Sequence, residues 1–475
     1  MSLSDYAAYD GLGLAALVKK KEVSAAELAE EAIKRTEANN PNLNAVVLKL
    51  YDSARATAKS PASGPFEGVP FLLKDAFGDM AGTATRDGSR FRSNIPVDYD
   101  STLTARFKAA GVVILGKTNV PEYTLLPTTE SVLYGAACNP WNTAHSTGGS
   151  SGGAASAVAA GFVPLAHAND SGGSIRIPAS ACGLVGLKPT RARNPLGPDY
   201  GDVVAGLCSE HVLTRSVRDS AAMLDCTQGA EPGDPYYAPP VERPYLDEVK
   251  RAPGKLRIAF STTDLAGKKF HPDCVAGIEQ TAKLLADLGH EVVEALPEIA
   301  PEEPAGIFLP TWAAYLAWDI DAEAARRGRP PKDDELGGLT WGFYEIGKSV
   351  TAAQFLTLRQ QAQAMARRAA KFMQTYDVWV APTLAQPPVK NGVIDINERD
   401  PMVGFLPLAD YVPFTPIQNL TGQPAMSLPL HWSADGLPIG MMFAGRFGDE
   451  ATLFRLAAQL EEARPWKDKH PKVWN

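Results

Sequence analysis

Hydrophobic residues recur along this chain with two periods, and each period marks a different kind of element. Ser24-Ala25-Ala26-Glu27 is a capping box with Val23 and Leu28 placed as a hydrophobic staple, so a helix is predicted from there to about Ala38. Residues 255–260 and 291–294 read as strands around a helical stretch ending at Leu288, a β-α-β unit whose crossover implies parallel pairing. A long helix is predicted over 352–375, leading into a buried strand at 377–383. Residues 229–254, with Pro232, Pro235, Pro239 and Pro240 among charged positions, read as a surface connection. Together these elements predict an α/β protein built on a mixed sheet.

Composition narrows the class of partner. At 475 residues and 45% hydrophobic, the chain can bury a large core, and length alone would suggest two or three domains. A net charge of −8 gives no basic footprint for nucleic acid or an anionic membrane. The apolar run at 11–18 is followed, not preceded, by Lys19, Lys20 and Lys21, and the run at 307–318 is too short to cross a bilayer. Cys138, Cys182, Cys208, Cys226 and Cys274 are odd in number and irregular in spacing, without a zinc or disulfide pattern. They are expected to be reduced thiols of a cytoplasmic protein that needs no metal or cofactor.

Two serine-bearing glycine turns carry the chemistry. Gly148-Gly149-Ser150-Ser151-Gly152-Gly153 alone would read as a flexible linker, and Gly172-Gly173-Ser174-Ile175-Arg176 as a turn before a strand. Both are flanked by the apolar segments 154–160 and 162–168, which a linker would lack. Two buried turns facing one site is the better account. Glycine lets backbone approach a ligand closely, so such a turn can offer a hydroxyl and N–H groups to one carbonyl. Lys74 follows the apolar residues Phe71, Leu72 and Leu73. A lysine with a free pKa of about 10.4 must be desolvated to act as a base near pH 7.

The stretch from Asn139-Pro140-Trp141-Asn142 through both turns to Cys182-Gly183-Leu184-Val185-Gly186-Leu187-Lys188-Pro189-Thr190 resembles the amidase signature family. The resemblance extends outward to Gly116-Lys117-Thr118-Asn119 with Glu122, to 214–219, and to Asn419-Leu420-Thr421-Gly422-Gln423-Pro424-Ala425. It implies one large α/β domain over 1–475 with a mixed twisted sheet flanked by helices. It further implies a catalytic triad of Ser174 as nucleophile, Ser150 as bridging serine at a cis Gly149-Ser150 peptide, and Lys74 as base. The oxyanion hole would be the backbone N–H groups of Ser171, Gly172, Gly173 and Ser174. Asp170 and Arg176 are expected to brace the nucleophile loop as an ion pair that does not touch substrate.

A Ser-His-Asp triad through His167 is the rival reading, but the chain has no Gly-x-Ser-x-Gly elbow, and His145 and His167 read as loop and core residues. Phosphate binding is unsupported, because neither glycine turn is followed by Gly-Lys-Ser/Thr. Within the family, the residues at 167–180 and Gly197-Pro198 most resemble the subgroup hydrolysing 6-aminohexanoate cyclic dimers. That implies hydrolysis of uncharged aliphatic amides, cyclic or oligomeric, through an acyl-enzyme. The alternative is the ammonia-delivering amidase component of a tRNA-dependent glutamine amidotransferase, which works within a complex. Trp312, Tyr315, Trp318, Trp341 and Phe414 would form an apolar wall for an aliphatic chain, or be ordinary core. The expected partner is a small amide; self-association as a homodimer stays open.

Overall fold

Strand order explains how motifs far apart in sequence come to one place. The computed structural model describes residues 3–408 and 410–474. At its centre is an eleven-stranded mixed sheet. In spatial order the strands are Val46–Lys49, Val113–Thr118, Pro70–Lys74, Leu165–Asp170, Ser209–Thr214, Val185–Lys188, Ala425–Trp432, Pro438–Ala444, Val378–Pro382, Arg257–Phe260 and Glu291–Glu294. Pro70–Lys74 is parallel to both neighbours, Val113–Thr118 and Leu165–Asp170. Lys74 and Asp170 therefore close adjacent parallel strands, and ligands bind beyond such carboxyl ends in open α/β sheets.

The predicted β-α-β unit is present: Arg257–Phe260 and Glu291–Glu294 pair in parallel around the helix Pro272–Asp287, and Val378–Pro382 joins on the other side, also parallel. The helix Ala352–Thr375 opens with a reciprocal cap between Thr351 and Gln354. Ser24 and Glu27 exchange the two bonds of the predicted box, Glu27 N donating to Ser24 Oγ at 3.2 Å and Ser24 N to Glu27 Oε2 at 2.8 Å. That helix runs farther than predicted, over Ala25–Leu43. Pro41 lies within it, and the stop comes at Asn44 in the left-handed conformation, after Leu43 has been fully buried. Asn40 Oδ1 accepts from Ala45 N and Val46 N and turns the chain into its first strand.

Two large apolar clusters pack on this sheet. One gathers residues of the first half, such as Leu28, Phe71, Phe107 and Phe162; the other joins Val185 and Leu187 to Ile258, Val380, Met441 and Phe454. The segment 229–254 crosses the surface without regular structure except for the single-turn helix Tyr245–Glu248. There Asp225 accepts from Tyr245 N at 2.7 Å and Leu246 N at 2.9 Å, which buries Tyr245 and anchors the connection. The apolar run at 307–318 belongs to the helix Glu303–Arg327. No helix among the described residues is long and apolar enough to cross a membrane.

Candidate active site

Lys74 ends a strand whose five residues are all buried, and its own side chain has no exposure. The ammonium nitrogen has two neutral partners: Nζ lies 2.8 Å from Ser150 Oγ and donates to Asn169 Oδ1 at 2.6 Å. Asn169 Nδ2 donates to Ala76 O at 3.1 Å, which turns Oδ1 towards Lys74. Burial lowers Lys74 to about 8, with Glu210, Cys208, Asp170 and Asp87 opposing that shift. Asn169 Oδ1 can only accept, so a neutral lysine gives it an N–H and leaves its lone pair for Ser150.

His167 stands beside this pair with both nitrogens occupied. Nδ1 accepts from Lys74 N at 3.2 Å, so Nε2 carries the proton and donates to Glu210 Oε2. The register explains the grouping, since Asn169 lies opposite Glu210 and His167 opposite Val212 on an antiparallel ladder, and alternate residues share one face. A ring bound at both edges has no lone pair to offer Ser174, which removes the geometric basis of the Ser-His-Asp reading.

The first glycine turn opens a buried helix, Gly152–Ala159, and is not a linker. The Gly149–Ser150 peptide is cis, and Ser150 has no exposure. A Cβ at Gly152 would lie 2.1 Å from Thr147 Oγ1 and 2.3 Å from Thr129 Oγ1, so no larger residue fits there.

The second turn is held by a dense polar knot. Asp170 Oδ1 accepts from Gly173 N at 2.7 Å, and its carboxylate takes Arg176 Nε and Nη2, each at 2.9 Å. Arg176 also donates to Gln418 Oε1 at 2.9 Å, Thr415 O at 2.8 Å and Asn419 Oδ1 at 2.6 Å. Asn419 Nδ2 closes the circuit on Asp170 O at 2.9 Å, and Thr415 Oγ1 donates to Gly172 O at 2.7 Å. Burial by itself would raise the Asp170 carboxyl, but the charge and hydrogen bonds of Arg176 override it and hold Asp170 at about 2. The brace expected from Asp170 and Arg176 thus includes Thr415, Gln418 and Asn419, to which sequence reasoning gave no role.

Within the knot Ser174 keeps 9% of its surface exposed, whereas Lys74 and Ser150 keep none. The four expected oxyanion donors reduce to three, because the Gly173 N–H is already spent on Asp170. The N–H groups of Ser171, Gly172 and Ser174 have no acceptor among the described residues. The Ser171 hydroxyl is engaged by the buried Cys208 thiol.

The aromatic wall expected from sequence is split. Phe414 is core, ringed by Phe270 at 5.9 Å and Trp379 at 5.0 Å. Trp341 packs under Arg399, while Trp318 is 53% exposed and lies 5.4 Å from Tyr315 at a surface cleft. Trp312 is buried against Phe308, at 5.6 Å. Phe308, which sequence reasoning did not single out, is the ring that reaches the loop: a Cβ on Gly172 would come within 2.5 Å of its Cζ.

A buried lysine facing one serine, with a second, slightly exposed serine and unspent backbone donors on the turn that follows the adjacent strand, is an arrangement suited to acyl transfer from an amide. The Amidase family model matches residues 27–454. The 6-aminohexanoate-cyclic-dimer hydrolase of Paenarthrobacter ureafaciens is 38% identical over 487 aligned residues, covering 98% of this chain and 97% of that protein. A solved 6-aminohexanoate cyclic dimer hydrolase complexed with substrate superposes with a TM-score of 0.92 at 37% identity, covering 99% and 100% of the two chains. The amidase component of the glutamyl-tRNA(Gln) amidotransferase of Thermotoga maritima is more distant, with a TM-score of 0.75 at 25% identity over 95% of each chain. This protein is an amide hydrolase. It belongs to the amidase signature family.

Proposed function

We propose that the protein hydrolyses uncharged aliphatic amides, including cyclic or oligomeric 6-aminohexanoate, through an acyl-enzyme on Ser174. Ser174 Oγ attacks the carbonyl carbon and gives its proton to Ser150, which passes its own to the Lys74 lone pair. The N–H groups of Ser171, Gly172 and Ser174 receive the oxyanion. As the intermediate collapses, the C–N bond breaks and the proton returns from Lys74 through Ser150 to the leaving nitrogen. Water then attacks the acyl-enzyme along the same path. Esters of the same acids should react too, since the acyl-enzyme is shared. The observation that carries this reading is the 2.8 Å contact between a fully buried Lys74 and Ser150, with Asn169 orienting the amine.

Labelling with a fluorophosphonate and peptide mapping tests the nucleophile: modification is expected at Ser174, and modification elsewhere would sink the assignment. For the substrate, kcat/KM of the isolated protein on an aliphatic cyclic diamide should exceed that on glutamine. A preference for glutamine, or turnover only after partner proteins are added, would instead support a role within an amidotransferase complex.

A further inference from the structure

The first glycine turn is closed by a residue outside it. Thr129 is fully buried one position before the short strand Glu130–Ser131, and its backbone oxygen accepts from Ala137 N at 2.9 Å. Its hydroxyl donates to Gly148 O at 2.9 Å and accepts from Gly152 N at 3.1 Å. One proton and one lone pair of a single oxygen therefore join the two ends of the turn, with Ser150 in the middle of the residues between. The same segment forms the floor of the turn: a Cβ on Gly149 would lie 2.4 Å from Thr128 O and 2.7 Å from Leu126 O.

The turn does not close itself. Gly152 opens the helix Gly152–Ala159, and its N–H is one of the donors that a helix start leaves unpaired. Ser151 stands at the capping position but makes no side-chain cap; its hydroxyl donates instead to Asn169 O at 3.2 Å. Thr147 Oγ1 donates to Gly148 O at 2.9 Å, which secures the entry to the turn and not its exit. Among the described residues, Thr129 is the side chain that bonds to both ends.

The consequence falls on Ser150. Its Oγ lies 2.8 Å from Lys74 Nζ, and Asn169 holds that amine from the strand to which Ser151 is tied. A hydroxyl that takes a proton from Ser174 and passes one to Lys74 tolerates little displacement, since an error of about 1 Å costs about 100-fold in rate. We infer, on the mechanism proposed above, that Thr129 is a positioning residue of the proton relay: it touches no reacting atom and fixes where Ser150 stands. Thr415 holds the other turn, where its Oγ1 donates to Gly172 O at 2.7 Å, so the two turns have separate clamps.

Two substrates with one acyl group separate the clamps. Hexanamide expels a nitrogen that must be protonated as it leaves, whereas 4-nitrophenyl hexanoate expels a stable anion. In forming the acyl-enzyme the amide therefore needs the relay twice and the ester once. Thr129→Val keeps the shape and lacks the hydroxyl. Its kcat/KM should fall about 10-fold further for the amide than for the ester, and Thr129→Ser should restore both to within about threefold of native. In Thr415→Val the two should fall together, because the oxyanion forms with either substrate. Equal losses in Thr129→Val, a failure of Thr129→Ser to restore, or the same widening in Thr415→Val overturns the positioning role. Should Thr129→Val not fold, Thr129→Ala adds no bulk and must show the same widening. Native enzyme that turns over neither substrate, or a fluorophosphonate label away from Ser174, refutes the mechanism itself, whereas native turnover of both with an unchanged ratio in the variants refutes only the clamp.

Discussion

Lys74 and Arg176 are both fully buried basic side chains close to the two glycine turns, yet their surroundings differ in kind. Arg176 meets the Asp170 carboxylate through two hydrogen bonds and fills its remaining donors with carbonyls and amides. The Lys74 ammonium nitrogen meets only a hydroxyl and an amide oxygen, and the carboxylate that acts on it most, Glu210, is hydrogen-bonded to His167 instead. Burial without a contacting counter-charge is what turns a lysine into a base, and burial with one is what turns an arginine into a rivet. On the proposed function, the same depth serves chemistry at one point and geometry at the other.

The strongest way to break the contrast is to unpair the rivet. Asp170→Asn removes the counter-charge from Arg176 and one of the two acceptor oxygens that shape the nucleophile loop. Urea denaturation should show a loss of about 3–5 kcal/mol, the cost of leaving a buried charge unpaired, and turnover should collapse with it. Next in size is the reverse experiment on the proposed base. Asn169→Asp sets a carboxylate where an amide oxygen lies 2.6 Å from Nζ, pinning Lys74 as an ammonium ion. The enzyme should fold, and kcat at neutral pH should fall about 100-fold or more with the acid limb moved to higher pH. A rate within threefold of the native enzyme would refute Lys74 as the base.

How much of this is legible in the chain follows from distance along it. The two turns, Lys74, and the Asp170–Arg176 pair lie in local motifs, and each can be assigned before any contact is known. Thr415, Gln418 and Asn419 reach Arg176 from about 240 positions away, and a motif such as Asn419–Ala425 marks its importance without saying what it touches. His167 and Glu210 meet through the register of two antiparallel strands, which spacing alone does not reveal. Asn40-Pro41-Asn42 suggests an earlier helix end, but burial of Leu43 outweighs the proline's missing N–H. The five aromatics share a residue type and not a location, because some serve the core and others the surface.

Smaller effects sharpen the comparison. With Lys74 at about 8, kcat/KM of the native enzyme should rise with pH through a limb near that value as the ammonium loses its proton. Stability carries the matching sign. Between pH 8 and about 10.4 the unfolded chain holds a proton on this lysine that the folded chain has released, so folding stability from this group rises with pH across that window and is flat below it. Denaturation midpoints on Lys74→Met against the native protein at pH 7.5 and 10 would isolate the term. The smallest shift is expected from Glu210→Gln, which removes a charge that raises Lys74 and should move the limb down by less than one pH unit. An upward shift would mean that Glu210 acts on the base by some other route.

His167 gives the molecule a built-in reporter. Its Nε2 proton is shut in a dry interior between an imidazole and a carboxylate, while Nδ1 rests on the backbone of Lys74 itself. Such a proton exchanges slowly with solvent and resonates far downfield of the amide envelope. One line in a proton spectrum would then register the condition of the interior around Lys74 without substrate, label or turnover, and its disappearance would announce damage there before the fold is lost.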